Sequence, residues 1–190
     1  MRMILMGPPG SGKGTQAKVV AAQYAIPAIS TGDIFRAGVA GRTALALEAQ
    51  RYMRAGDYVP DEVTNAMVRN RIGMPDAQSG FLLDGYPRTL PQVDELDEML
   101  RDIGAVLDCV VCLTVDEDEL VPRLLHRAYL EGRPDDTEAV IRHRQKVYAE
   151  QTEPLLSVYR KRGLLVEVDG AGEMDLVSQR VLSRLEQRGA

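Results

Sequence analysis

Apolar positions along the chain alternate between two rhythms. Residues 3–6 form a continuous apolar run that stops at Gly7, the pattern of a strand covered on both faces. A helix is predicted over 14–23, with Ala17, Val20 and Ala21 on one side. Ala28 and Ile29 mark a short strand ending at Ser30-Thr31, where Thr31 is the expected cap for a turn through Asp33, Ile34 and Phe35. Helices follow over 43–55 and 61–71, joined by Gly56-Asp57-Tyr58-Val59-Pro60. Phe81-Leu82-Leu83 is the next central strand and ends at Asp84-Gly85. Beyond it the pattern predicts a helix over 91–101, a strand over 106–115 and a helix over 117–129. A long helix over 137–162 tolerates Pro154 only with a kink or a break. A last strand (164–168) and helix (173–187) complete the order.

Strands that alternate with helices predict an α/β fold with a mainly parallel sheet. Such sheets hold ligands beyond the carboxyl ends of their strands. The glycine-rich and polar segments fall there: Gly7 onward, Thr31, Asp84 onward and Asp169 onward. The whole chain, 1–190, reads as a single domain, with segments 30–59 and 126–136 standing outside its core.

Composition adds little to this picture except in its charges. The formal charge of -5 argues against a general nucleic-acid binder, yet a basic cleft can sit in an acidic protein. Of the 23 basic residues only Lys13, Lys18, Lys146 and Lys161 are lysines. Genome composition accounts for such a bias, and so does bidentate phosphate recognition by arginine. No run is long and apolar enough for a membrane span, and the N-terminus lacks a signal-peptide pattern, so the expected location is the cytoplasm. Cys109 and Cys112 lie three apart on a predicted strand, hence on opposite faces, and no second pair completes a four-ligand site. They read as core residues.

The strongest local signal is Gly7-Pro8-Pro9-Gly10-Ser11-Gly12-Lys13-Gly14-Thr15. It follows a strand and opens a helix, the context a phosphate-binding P-loop needs. Glycines let backbone N–H groups converge on phosphate, the helix start adds unpaired donors, and Lys13 adds a full charge. The usual Gly-Lys-Ser/Thr ending is interrupted by Gly14, so Thr15 is not placed by the motif for direct contact with Mg²⁺. A GTPase would carry an Asn-Lys-x-Asp motif, but neither Asn65 nor Asn70 sits in one.

Together with further motifs, this chain resembles the adenylate kinase family over essentially its full length, in the form with a short lid. The motifs are the P-loop, Thr31-Gly32-Asp33 with Arg36, Tyr58-Val59-Pro60-Asp61, Asp84-Gly85-Tyr86-Pro87-Arg88-Thr89 with Gln92, Gly132-Arg133-Pro134-Asp135-Asp136, and Arg144 ahead of Tyr148. The resemblance implies a P-loop NTPase fold with a five-stranded parallel sheet, an NMP-binding segment at 30–59 and a short lid at 126–136. It implies an ATP:AMP phosphotransferase that reversibly forms two ADP, with Mg²⁺ accompanying ATP. It assigns Gly10, Ser11, Gly12, Lys13, Gly14, Thr15, Arg127 and Gly172 to ATP. It assigns Thr31, Arg36, Asp57, Tyr58, Val59, Gly85, Tyr86, Pro87, Arg88, Gln92, Arg133 and Arg144 to AMP. Lys13, Arg88, Arg123, Arg133 and Arg144 are the implied catalytic set. A monomer acting only on nucleotides, with no nucleic-acid or membrane partner, is the implied form. The lid interval lacks cysteines, so no zinc is expected.

The residues support this chemistry on their own terms. Phosphoryl transfer needs alignment, neutralised charge and excluded water more than covalent help. Arg123 and Arg127 are four apart and share a helix face, which fits a phosphate clamp or a solvated face. Arg144 lies on the same stripe as Val140, Val147 and Tyr148, so it needs either an ion-pair partner or a phosphate. Asp84, at a strand end, either orients water on Mg²⁺ or hydrogen-bonds nearby backbone, and Asp33 is a second acid of that kind. Two other readings remain open. One is a UMP/CMP kinase, although Thr31 and the Thr89-to-Gln92 spacing favour adenine in the family pattern. The other is a nucleotide-binding regulator without turnover.

Overall fold

The computed structural model describes residues 1–41, 44–131 and 137–189. Strands β1 (Arg2–Met6), β2 (Ala28–Ser30), β3 (Phe81–Asp84), β4 (Cys109–Thr114) and β5 (Leu165–Asp169) form one parallel sheet in the order β2-β3-β1-β4-β5. Between and after them run α1 (Lys13–Tyr24), α2 (Thr31–Ala40), α3 (Ala44–Ala55), α4 (Asp61–Ile72), α5 (Leu90–Asp102), α6 (Glu117–Glu131), α7 (Glu138–Val147), α8 (Pro154–Lys161) and α9 (Met174–Gln187).

The period-two alternation of the strands sorts the apolar side chains onto two faces. Met3, Leu5, Cys109, Val111 and Leu113 pack with Val20 of α1 and Val181 of α9. Ile4, Met6, Leu83, Val110 and Cys112 pack with Val68 of α4, Leu96 of α5 and Leu155 of α8. Because helices cover both sides, the central strands are apolar without interruption, as the sequence predicts. The two cysteines belong to opposite cores, and burial pushes each thiol up to about 11.

Three expectations are corrected. The cap of α2 is Ser30, whose Oγ accepts from the Asp33 N–H at 3.3 Å. Thr31 instead begins the helix and donates its hydroxyl to the Gly85 carbonyl at 3.0 Å. The helix that Thr31 opens runs to Ala40 rather than ending as a turn. The strand expected over 106–115 is confined to Cys109–Thr114, because Val106 is 72% exposed and lies outside the sheet.

The predicted break at Pro154 takes a definite form. Proline lacks the N–H that would continue the helical ladder. Residues Tyr148–Thr152 widen into a π-turn, with the Glu153 N–H donating to the Tyr148 carbonyl at 3.0 Å, and α8 begins afresh at Pro154. Outside the two main cores, Phe35 of α2 and Ala49 of α3 form a small apolar cluster with Val59.

Tyr159 is 1% exposed and its hydroxyl has no hydrogen-bond partner among the described residues. An unsatisfied buried hydroxyl costs roughly 1–3 kcal/mol. Tyr159→Phe removes it without removing the ring, so we expect equal or higher stability, by up to about 2 kcal/mol. Urea unfolding of the two proteins checks this, and a loss of more than about 1 kcal/mol would contradict it.

Candidate functional site

The parallel register sets β1 beside β3, with Leu5 opposite Asp84, and β3 beside β2, with Ser30 opposite Asp84. The chain leaving each of these three strands therefore emerges at one edge. A cleft of about 570 Å³ opens there. It is walled by the P-loop, the start of α2, the Asp57–Val59 connection, the Asp84–Gln92 loop, α6 and α7 with its π-turn.

At the P-loop, Gly12 holds φ +90 ahead of α1, a left-handed conformation that suits glycine. Gly10, Gly12, Lys13, Gly14 and Thr15 line the cleft. Ser11 does not: it is 2% exposed, and no hydrogen bond to its hydroxyl is found among the described residues. The Lys13 ammonium donates to the Gly7 and Pro8 carbonyls at 2.7 and 2.8 Å. Burial pulls Lys13 down to about 8; the Asp84 carboxylate opposes that pull, and Arg88 and Arg127 reinforce it. Burial also raises Asp84, against the influence of Lys13 and Arg88.

Another wall of the cleft is a hydrogen-bonded lattice around Arg88. Gly85 has φ +80, and a Cβ there would lie 2.8 Å from both Thr31 Oγ1 and Arg88 Nη2. Its carbonyl accepts from Thr31 Oγ1 and, at 2.7 Å, from Arg88 Nε. The guanidinium stands over the Tyr58 ring, 4.9 Å from the centroid. Gln92, 1% exposed, accepts from the Arg88 N–H at 2.7 Å and donates to Asp61 Oδ1 at 2.6 Å. Asp61 Oδ2 also accepts from Thr89 Oγ1, the cap of α5. The amide of Gln92 is thereby fixed in orientation and keeps one N–H uncommitted in this network. Tyr86 is buried behind the loop, its hydroxyl donating to Asn65 Oδ1 at 2.8 Å, and Pro87 joins it in the cleft wall.

Arg36, Arg123 and Arg144 line the same cleft, each engaged with a local acceptor. Arg36 pairs with Asp33, Arg123 with Glu119 and the Gly170 carbonyl, and Arg144 donates to the Met53 carbonyl at 3.0 Å. Arg127 also faces the cleft. Arg133 lies outside the described residues, as do Gly132, Pro134, Asp135 and Asp136 of the expected lid. Gly172, with φ +96 in the turn between β5 and α9, is not part of the cleft wall.

Several residues at the site carry no role in the sequence reading. Thr152 and Tyr148 line the cleft from the π-turn, and Gln145 Nε2 donates to the Pro9 carbonyl at 2.8 Å. Asp61 stands at the end of a legible motif, yet its partnership with Gln92 spans 31 positions. The one local signal for Thr152 is its place two residues before Pro154. Among the described residues, no group of three or more His, Cys, Asp or Glu side chains is placed to hold a metal ion.

The P-loop and the Asp84–Gln92 loop that carries Arg88 thus wall one cleft. The family model described as adenylate kinase matches residues 5–164. An adenylate kinase of Nocardioides sp. is 65% identical over 186 residues, covering 98% of this chain and 97% of that protein. One from Thermobifida fusca is 56% identical over 188 residues, covering 99% of this chain and 100% of its own. One from Kocuria rhizophila is 57% identical over 186 residues, with 98% and 99% covered. With the family model matching most of the chain and more than half of the residues identical over nearly its full length, the chain belongs to the adenylate kinase family.

Proposed function

We propose that this adenylate kinase transfers the terminal phosphoryl group of Mg²⁺-bound ATP to AMP, reversibly, with ATP on the P-loop and AMP against the Asp84–Gln92 loop. The observation that carries the reading is the single cleft walled by both segments. A lone P-loop serves many reactions; a facing arginine site 75 positions later supplies the acceptor.

In this reading Gly10 to Thr15 cradle the ATP phosphates, and Lys13 leaves the Gly7 and Pro8 carbonyls for a phosphate oxygen. Arg123 and Arg127 neutralise the same phosphates from α6. Ser11 supports the loop from beneath, and Gly172 lies beside the adenine of ATP. Thr31, Arg36, Gly85 and Gln92 hold AMP with the backbone of Asp57, Tyr58 and Val59. Arg88 and Arg144 draw the acceptor phosphate into line, and Arg133 joins them from the lid. Tyr86 and Pro87 shape that loop. Segment 30–59 and the lid at 126–136 act as two flaps that exclude water.

The donor set fits magnesium. Mg²⁺ keeps several waters and binds through one or two carboxylates plus phosphate, rather than in an all-protein cage. Asp84, beside Lys13 at the end of β3, offers a carboxylate to such waters. Asp33 is a second, though it is paired with Arg36. The ion would offset charge on the phosphates. Gly14 separates Thr15 from Lys13, so Thr15 serves a phosphate or a metal-bound water.

We extend the reading to a monomer that works in the cytoplasm on ATP, AMP and ADP. No helix among the described residues is long and apolar enough to cross a membrane.

Three measurements test this reading. With ATP and Mg²⁺, a panel of AMP, CMP, UMP and GMP should give rapid product formation with AMP; preference for CMP or UMP would overturn the assignment. Lys13→Ala and Arg88→Ala should each lower turnover at least about 100-fold, the cost of a donor that tightens in the transition state. Near-normal turnover in both folded variants would overturn the site. Lys13 is charged below its value of about 8 and loses its proton as pH rises through it. The free enzyme governs kcat/KM, so kcat/KM for ATP should fall above about pH 8. In the complex the phosphates stabilise the ammonium, so kcat should hold to higher pH. A kcat/KM profile flat to pH 10 would contradict the lowered value of Lys13 in the free enzyme.

A further inference from the structure

Thr152 is 5% exposed and sits in the π-turn that follows α7. Its Oγ1 lies 2.8 Å from the Arg88 carbonyl and 2.7 Å from the Tyr58 hydroxyl. A hydroxyl carries one proton, and a carbonyl can only accept. Thr152 therefore donates to Arg88, and Tyr58 must donate to Thr152. The ring of the same Tyr58 supports the Arg88 guanidinium from below. One chain of contacts thus grips Arg88 at both its backbone and its charged end.

The widened turn is what makes this grip geometrically available. Arg144, Tyr148 and Thr152 all face the cleft. They follow one another at four-residue spacing, and in a regular α-helix the first and last would have drifted apart by roughly 80°. A π-turn carries more residues per revolution, takes up that drift and keeps all three on the cleft side.

We infer that Thr152 is a positioning residue for the acceptor phosphate, acting through Arg88 and Tyr58 rather than on substrate. It locks together three segments far apart in sequence: the Tyr58 connection, the Arg88 loop and the helix that carries Arg144. Its hydroxyl sets where the guanidinium waits before AMP arrives. This inference rests on the reading that Arg88 holds the acceptor phosphate.

The test compares Thr152→Val, which keeps the shape and removes the hydroxyl, with Thr152→Ser, which keeps the hydroxyl. Thr152→Val should lower kcat/KM for AMP about tenfold, the scale of one or two lost hydrogen bonds, with KM for ATP within about twofold. Thr152→Ser should stay within about threefold of the parent, and Tyr58→Phe should lower kcat/KM for AMP by about fivefold. Adding Tyr58→Phe to Thr152→Val should cost little more, because the donor chain is already broken. AMP parameters unchanged in Thr152→Val, a serine variant as impaired as the valine one, or equal losses for ATP and AMP would each overturn the inference. If Thr152→Val does not fold, the other two variants decide: an AMP-specific loss in Tyr58→Phe with near-parental Thr152→Ser supports it, and any other pairing sinks it. Full turnover in Arg88→Ala would instead sink the reading of the site itself, whatever Thr152 does.

Discussion

Everything at the site depends on the parallel register of β1 with β3, which puts Leu5 opposite Asp84. β1 runs into the P-loop, and β3 runs into the loop that carries Arg88. Because the strands are parallel and in step, both loops leave the sheet at the same edge and height. A slip of two residues would keep every side chain on its proper face and yet move one loop roughly 7 Å from the other. Burial on both faces would permit that slip; the Arg2 guanidinium, donating to the Gln78 carbonyl at 2.9 Å ahead of β3, opposes it.

The second constraint is electrostatic. Gathering Lys13, Arg36, Arg88, Arg123, Arg127 and Arg144 around one cleft brings like charges together. The protein meets this in two ways. Arg36 and Arg123 rest on carboxylates at the rim. Lys13 and Arg88 donate to backbone carbonyls, which satisfy protons without cancelling charge, and Arg144 donates to one as well. The fall in Lys13 and the rise in Asp84 have the same origin, burial that disfavours either charge.

How much of this was legible depended on how far each signal reaches along the chain. The P-loop was readable because its glycines, its lysine and the flanking strand and helix are contiguous. The strand cores were readable because apolar runs covered on both faces leave no alternation to misread. The cap of α2 was misplaced by one residue, since Ser30 and Thr31 have the same chemistry and the Gly85 carbonyl that claims Thr31 is 54 positions away. The break at Pro154 was visible, while its form was not: the widened turn brings Thr152 to Tyr58 and Arg88, partners 94 and 64 positions away. Asp61 shows the same limit, for it reads as an ordinary acidic helix start until Gln92 and Thr89 are brought against it.

The two thiols have a practical bearing. Cys109 and Cys112 sit in separate cores, both essentially inaccessible and both held protonated well above neutral pH. Thiol-directed reagents attack the thiolate, so neither native sulfur competes for them in the folded protein. A single cysteine added on the surface would be the sole reactive handle on the natural background. Fluorophores or spin labels could then report distances across the nucleotide cleft without any native residue being removed.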